Sequence, residues 1–154
     1  MTLPPEPLRP AGGRKVGTAG QHLLAEYHGC SPTILDDLEQ IRAALRGAAA
    51  AAGATVVAEV LQPFAPEGVS GVVVIEESHL SVHTWPEQGY AAVDFYTCGE
   101  CLPERAYEVL FRALEAERAE LLVVRRGLMS SAESLRVDEH RVDWARPEPR
   151  QMER

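Results

Sequence analysis

One stretch constrains the fold of this chain more than any other: residues 78–97, which read SHLSVHTWPEQGYAAVDFYT. In its first half Ser78, Leu80 and Val82 share one parity, and His79, Ser81 and His83 take the other. PEQG (86–89) carries turn chemistry, and YAAVDFYT (90–97) is rich in aromatic and β-branched residues. A period of two on either side of a turn predicts an antiparallel hairpin.

The flanking segments extend this unit in both directions. GQHLLAEYHGC (20–30) reads as a strand in which Leu24, Glu26 and His28 share a face. A helix is predicted next, with Ser31 as N-cap, Pro32 at its first position, Asp36 and Asp37 near the positive end of its dipole, and Gly53 just past its end. Leu35, Leu38, Ile41 and Leu45 recur along it at helical spacing. ATVVAEVLQ (54–62) and SGVVVIEE (70–77) read as strands separated by the turn-rich PFAPEG. Pro103 opens a second helix through Ala106, Val109, Leu110, Ala113 and Leu114, and ELLVVRRG (120–127) reads as a closing strand.

The resulting order is β-α-β-β followed by β-β-α-β. It implies an α+β, two-layer sandwich with the helices on one face of a largely antiparallel sheet. Such a cover leaves the second sheet face to polar side chains or to a partner. Residues 1–18 read as a flexible lead-in, 19–127 as one domain, and 128–154 as a polar, mobile C-terminal extension in which Trp144 has no evident role. A net charge of −8 speaks against a nucleic-acid footprint. No apolar run matches a membrane span, and the N-terminal residues do not resemble a signal peptide. The three cysteines, Cys30, Cys98 and Cys101, do not form a secreted disulfide framework. A cytoplasmic protein is expected.

Potentially reactive side chains concentrate between Ser70 and Cys101, among them Ser78, His79, Ser81, His83, Glu87 and Asp94. His79 and His83 have a spacing that suits a metal on a helix, but on a strand they lie about 13 Å apart. Cys98-x-x-Cys101 is a single pair without a second pair or a thioredoxin-like setting, so neither a zinc site nor a redox site is expected. The simplest alternative is a half-buried hairpin whose polar residues face water.

The run ESHLSVHTWPEQGYAAVDFYTCG, starting at Glu77, resembles the signature of the prokaryotic, pyruvoyl-dependent S-adenosylmethionine decarboxylase proenzymes. GQHLLAEYHGC, PFAPEGVSGVVVI and ELLVVRRG resemble the family's flanking pieces, so the likeness spans residues 20–127. It implies cleavage between Glu77 and Ser78 into a β chain, 1–77, and an α chain, 78–154, whose pyruvoyl cofactor derives from Ser78. That group would form a Schiff base with S-adenosylmethionine and act as electron sink for loss of CO2, giving the aminopropyl donor for spermidine synthesis. The resemblance assigns His83 as proton acceptor in processing and Cys98 as proton donor in catalysis. Phe64, Ser70 and Glu87 are its substrate-binding residues, with Phe64 stacking on adenine; Cys101 matches no assigned position. It further implies a homodimer with active sites at the subunit junction and, for the small class, no added metal. Ornithine or arginine as substrate, a non-processing paralogue that binds a partner chain, and a zinc or redox protein are the alternatives.

Overall fold

A computed structural model describes residues 17–98, 100–128 and 133–145, so nearly all of the expected lead-in lies outside the described residues. Seven strands form one sheet: β1 (Gly20–His28), β2 (Thr55–Pro63), β3 (Val69–Glu76), β4 (Ser78–Trp85), β5 (Tyr90–Thr97), β6 (Arg118–Arg126) and β7 (Leu135–Trp144). Their spatial order is β2-β3-β4-β5-β1-β6-β7, and every pairing is antiparallel. The predicted hairpin is β4–β5, with Trp85 opposite Tyr90 across a 3₁₀ turn at Pro86–Gln88 that ends on left-handed Gly89.

Among the described residues three helices accompany the sheet: α1 (Pro32–Leu35), α2 (Leu38–Ala51) and α3 (Pro103–Ala113). The alternation of the strands sends Leu23, Ala25, Tyr27, Val73, Leu80, Val82, Val93, Phe95 and Leu121 into one core with Ile41 and Leu45 of α2 and Leu110 of α3. Tyr27 buries its ring there and donates from its hydroxyl to the Tyr107 carbonyl at 2.9 Å. Thr84, buried on the same face, donates to the Leu35 carbonyl at 2.7 Å and accepts from the Val69 N–H at 2.8 Å. The polar groups of this layer are therefore satisfied, as burial requires.

Two expectations need correction. The helix expected to run unbroken from Ser31 is interrupted. Ser31 makes no side-chain cap, and Asp37 caps α2 by accepting from the Glu39 and Gln40 N–H groups. The backbone leaves the helix at Asp37, which is extended with φ −95° and ψ 106°, while the carboxylate of the preceding Asp36 accepts from the Gly68 N–H at 2.9 Å. The expected mobile extension, in turn, contains β7, which continues the sheet past the 19–127 domain. Its alternation is hard to read because a bulge opposite Val123 and Val124 leaves Asp138 unpaired in the register. Leu135 and Val137 precede that shift and His140, Val142 and Trp144 follow it, so one face carries both parities. Trp144 lies under the Arg118 guanidinium, 5.7 Å from its ring centre, and Asp143 accepts from the Tyr107 hydroxyl at 2.7 Å.

The second sheet face carries no helix among the described residues, and Leu24, Val60, Val74, Trp85, Val142 and Trp144 lie exposed. No helix among the described residues is long and apolar enough to cross a membrane. At the centre of this open face Asp94 ties three strands together. Its carboxylate meets His22 Nε2 at 2.8 Å, accepts from the Ser81 hydroxyl, and lies 3.7 Å from His79 Nε2. The hydrogen bond from His22, helped by Ser81 and opposed by partial burial, holds the Asp94 carboxyl down at about 2.

A carboxylate depressed in the folded state stabilises it above the unfolded value, and that contribution fades as pH falls through the folded value. Asp94→Asn is therefore expected to cost roughly 2 kcal/mol at neutral pH. Its stability should also fall less steeply than the parent's as pH drops from the ordinary value of 3.8 towards about 2. Urea denaturation across that pH range checks both.

Candidate active site

The chemistry-bearing residues are placed by two neighbouring hairpins. The turn from β3 to β4 is short: Ile75 pairs with Ser78, leaving Glu76 and Glu77 to reverse the chain. Ser78 has φ +123°, a conformation that a residue with a side chain rarely adopts and that costs of order 1–3 kcal/mol. On its other side Ser78 pairs with Thr97 at the end of β5, which brings in the next residue, Cys98. Ser78 Oγ and Cys98 Sγ are 3.8 Å apart, although 20 residues separate them. The Cys98 thiol also donates to the Tyr96 hydroxyl oxygen at 3.4 Å. Cys98 and Cys101 are both free thiols, and neither is fully buried.

A second group lies at the opposite end of β4. Ser70 and His83 face each other in the β3–β4 register, with Ser70 Oγ 2.8 Å from His83 Nδ1. Beyond them Trp85 stacks on Tyr90 at 5.1 Å, and Phe64, 54% exposed, stands in the β2–β3 loop. Glu87 is exposed in the 3₁₀ turn that follows β4. His83 is five residues along an extended strand from Ser78, a separation of roughly 16 Å. Within one chain, then, Ser78 meets Cys98 and Ser70 meets His83, and the two pairs stand apart.

His79 and His83 share a face of β4 and are four residues apart on it. The donor atoms that do converge are those of His22, His79 and Asp94, all within 4.8 Å of one another. Arg126 Nη1 donates to His22 Nδ1 at 3.1 Å, so the proton of the neutral ring sits on Nε2 and points at Asp94. These groups form a hydrogen-bonded charge network across the sheet.

Sequence reasoning gave no role to Tyr96, His22, Arg126 or Gly20. Tyr96 was within reach, because it precedes Cys98 by two and shares its parity. The others come from β1 and β6 and converge only in the sheet.

A family model described as S-adenosylmethionine decarboxylase matches residues 21–127. The S-adenosylmethionine decarboxylase proenzyme of Thermotoga petrophila is 49% identical over 109 residues, covering 70% of this chain and 84% of the relative. The proenzyme of Caldanaerobacter subterraneus subsp. tengcongensis is 50% identical over 110 residues, covering 71% of this chain and 89% of the relative. The crystal structure of the adenosylmethionine decarboxylase from Aquifex aeolicus VF5 superposes with a TM-score of 0.68 at 37% identity, covering 76% of this chain and 98% of that one. The family match ends just past β6, so β7 lies outside it. With the match extending over more than two thirds of its length, the chain belongs to the S-adenosylmethionine decarboxylases, a family of carboxy-lyase enzymes.

Proposed function

We propose that this chain is a self-processing decarboxylase of S-adenosylmethionine that derives its pyruvoyl group from Ser78 and works as a cytoplasmic homodimer. The observation that carries this reading is the position of Ser78 in a tight, strained turn with the Cys98 thiol 3.8 Å from its hydroxyl. A serine hydroxyl on a residue held at a strained φ suits attack on the preceding carbonyl, because geometry must compensate for a weak nucleophile. In that attack the Ser78 oxygen bonds to the Glu77 carbonyl carbon, the C–N bond breaks, and an ester replaces the amide. Removal of the Ser78 α-hydrogen then expels the ester as the Glu77 carboxylate, and water displaces ammonia from the remaining dehydroalanine. The products are chains 1–77 and 78–154. Once formed, the pyruvoyl group supplies the electron sink that decarboxylation of an amino acid needs.

The chain's own residues then have separable tasks. Cys98 is placed to deliver a proton where CO2 has left, a step to which a positioned acid contributes about 10²–10⁴-fold. Phe64 offers an exposed aromatic face to the adenine and the sulfonium charge of the substrate. Glu87, in the turn after β4, is available to hydrogen-bond the nucleoside. His83 serves as proton acceptor in processing, with Ser70 orienting its ring through Nδ1. The product of this reaction is the aminopropyl donor for spermidine synthesis.

His83 cannot serve Ser78 of its own chain across roughly 16 Å of strand. Two copies stacked on their helix-free faces about a two-fold axis remove the difficulty. The Ser78–Cys98 end of one copy then meets Ser70 and His83 of the partner subunit, and Leu24, Val74 and Trp85 are covered. Ornithine or arginine as substrate is the alternative that the nucleoside-binding roles of Phe64 and Glu87 argue against.

Intact-mass analysis of the purified protein should show two chains, that of residues 78–154 opening with a ketone-blocked terminus, while Ser78→Ala stays uncut and releases no CO2 from S-adenosylmethionine. A parent that remains one species, or releases CO2 only from ornithine or arginine, overturns the reading. Co-expression of Ser78→Ala with His83→Asn tests the shared site. Each alone is expected to be inactive, and random assembly should restore about a quarter of parental activity, because one site in each mixed dimer is intact. No recovery would mean that each site is built from a single chain.

A further inference from the structure

We propose that Tyr96 is the positioning residue of the Cys98 thiol: its hydroxyl takes the S–H hydrogen bond in the resting site and turns to donate to the sulfur once the proton has been delivered. This rests on the assignment of Cys98 as the acid in the reaction proposed above.

The geometry that points to it is local and crowded. Cys98 Sγ lies 3.4 Å from Tyr96 Oη and 3.8 Å from Ser78 Oγ, so the thiol is held between the phenol and the reacting residue. Gly20 of β1 closes the third side. A Cβ there would stand 3.2 Å from Cys98 Sγ, 3.1 Å from Tyr96 Cε2 and 2.6 Å from the Thr97 carbonyl oxygen, so only glycine leaves room for the thiol and the ring together.

The ring of Tyr96 is itself fixed from three strands. Arg126 of β6 places its guanidinium 4.4 Å from the ring centre, and the rings of His22 of β1 and His79 of β4 lie 5.4 and 6.1 Å away. A phenol held this way loses little freedom in keeping its hydroxyl on the sulfur. Tyr96 also lines an open cleft with Thr18, Arg126, Leu128 and Leu135.

The chemistry needs such a group. When Cys98 acts, its S–H bond breaks, a C–H bond forms on the substrate carbon, and the electron pair stays on sulfur. A thiolate left without a donor is poorly stabilised, whereas a hydroxyl serves as acceptor to S–H and donor to S⁻ without moving its oxygen. The same contact accounts for the Tyr96 hydroxyl being held above its ordinary value, chiefly by its hydrogen bond with Cys98. Arg126 over the ring works in the opposite direction, and His22 and His79 are the other titratable groups against it.

Tyr96→Phe removes the hydroxyl and keeps the ring between Arg126 and the histidines. In the full-length protein, alkylation of Cys98 by iodoacetamide, followed against pH by peptide mass spectrometry, should shift its midpoint upward by about half to one pH unit. Turnover should fall by about 3- to 10-fold with KM little changed, and the pH profile of kcat should move in the same direction. Cleavage at Ser78, read by intact mass, should go to completion as in the parent. An unchanged alkylation midpoint, or a lower kcat with an unmoved pH profile, overturns the proposal. The alkylation measurement does not require a processed chain. A parent that fails to cleave therefore refutes the pyruvoyl reading alone, while the midpoint still decides the role of Tyr96.

Discussion

Burial of one face of an antiparallel sheet under α2 and α3 governs everything else in this molecule. Because successive side chains on a strand point to opposite faces, each residue placed in the core delivers its neighbours to the other side. Leu80 and Val82 are locked among the helices, and His79, Ser81 and His83 are thereby presented on the open face. A slip of one residue between β4 and β5 would bury three polar side chains and expose the core of the hairpin, so the apolar contacts also hold the register of the chemical groups. The reactive face is precise because the opposite face is closely packed.

The open face combines apolar side chains with a charge network, an arrangement that suits contact with another protein surface more than contact with bulk water. Leu24, Val74 and Trp85 lie exposed on the same face as the Asp94 carboxylate, which is already supplied with donors from His22 and Ser81. A carboxylate satisfied in this way costs less to cover than a bare one. Strand β7 widens that face by a further strand and also grips the helical layer through Asp143 and Tyr107. It thus belongs to the sheet in its packing, although it lies outside the segment shared with the family.

Much of the fold was legible because it depends on local pattern. The β4–β5 hairpin, the strand at 20–28 and the start of α3 at Pro103 follow from period, turn chemistry and proline placement, and they stand where those signals put them. The helix break at Asp37 was missed although its cap on α2 is local, because Ser31 and Pro32 offered an equally good start upstream; the contact of Asp36 with Gly68, 32 residues away, was not legible. Strand β7 was obscured by its own bulge, which transfers the apolar set on the open face from one parity to the other. In the site, the resemblance to the decarboxylase family, rather than spacing, singled out Ser78, His83 and Cys98. The strand period already sets His83 roughly 16 Å along β4 from Ser78. What it did not reveal was the approach of Cys98 to Ser78 across two strands.

What the amino-acid order determined by itself was the period of each segment, and with it which side chains share a face of a strand or a stripe of a helix. Those are properties of neighbours, governed by backbone geometry over a few residues. Which faces meet was decided only in three dimensions: Ser78 beside Cys98 across two strands, Ser70 beside His83, Gly20 beneath Tyr96, and Arg126 over its ring. Strand order joins segments that lie far apart in the chain, and the packing of the whole core selects that order, which no local signal encodes.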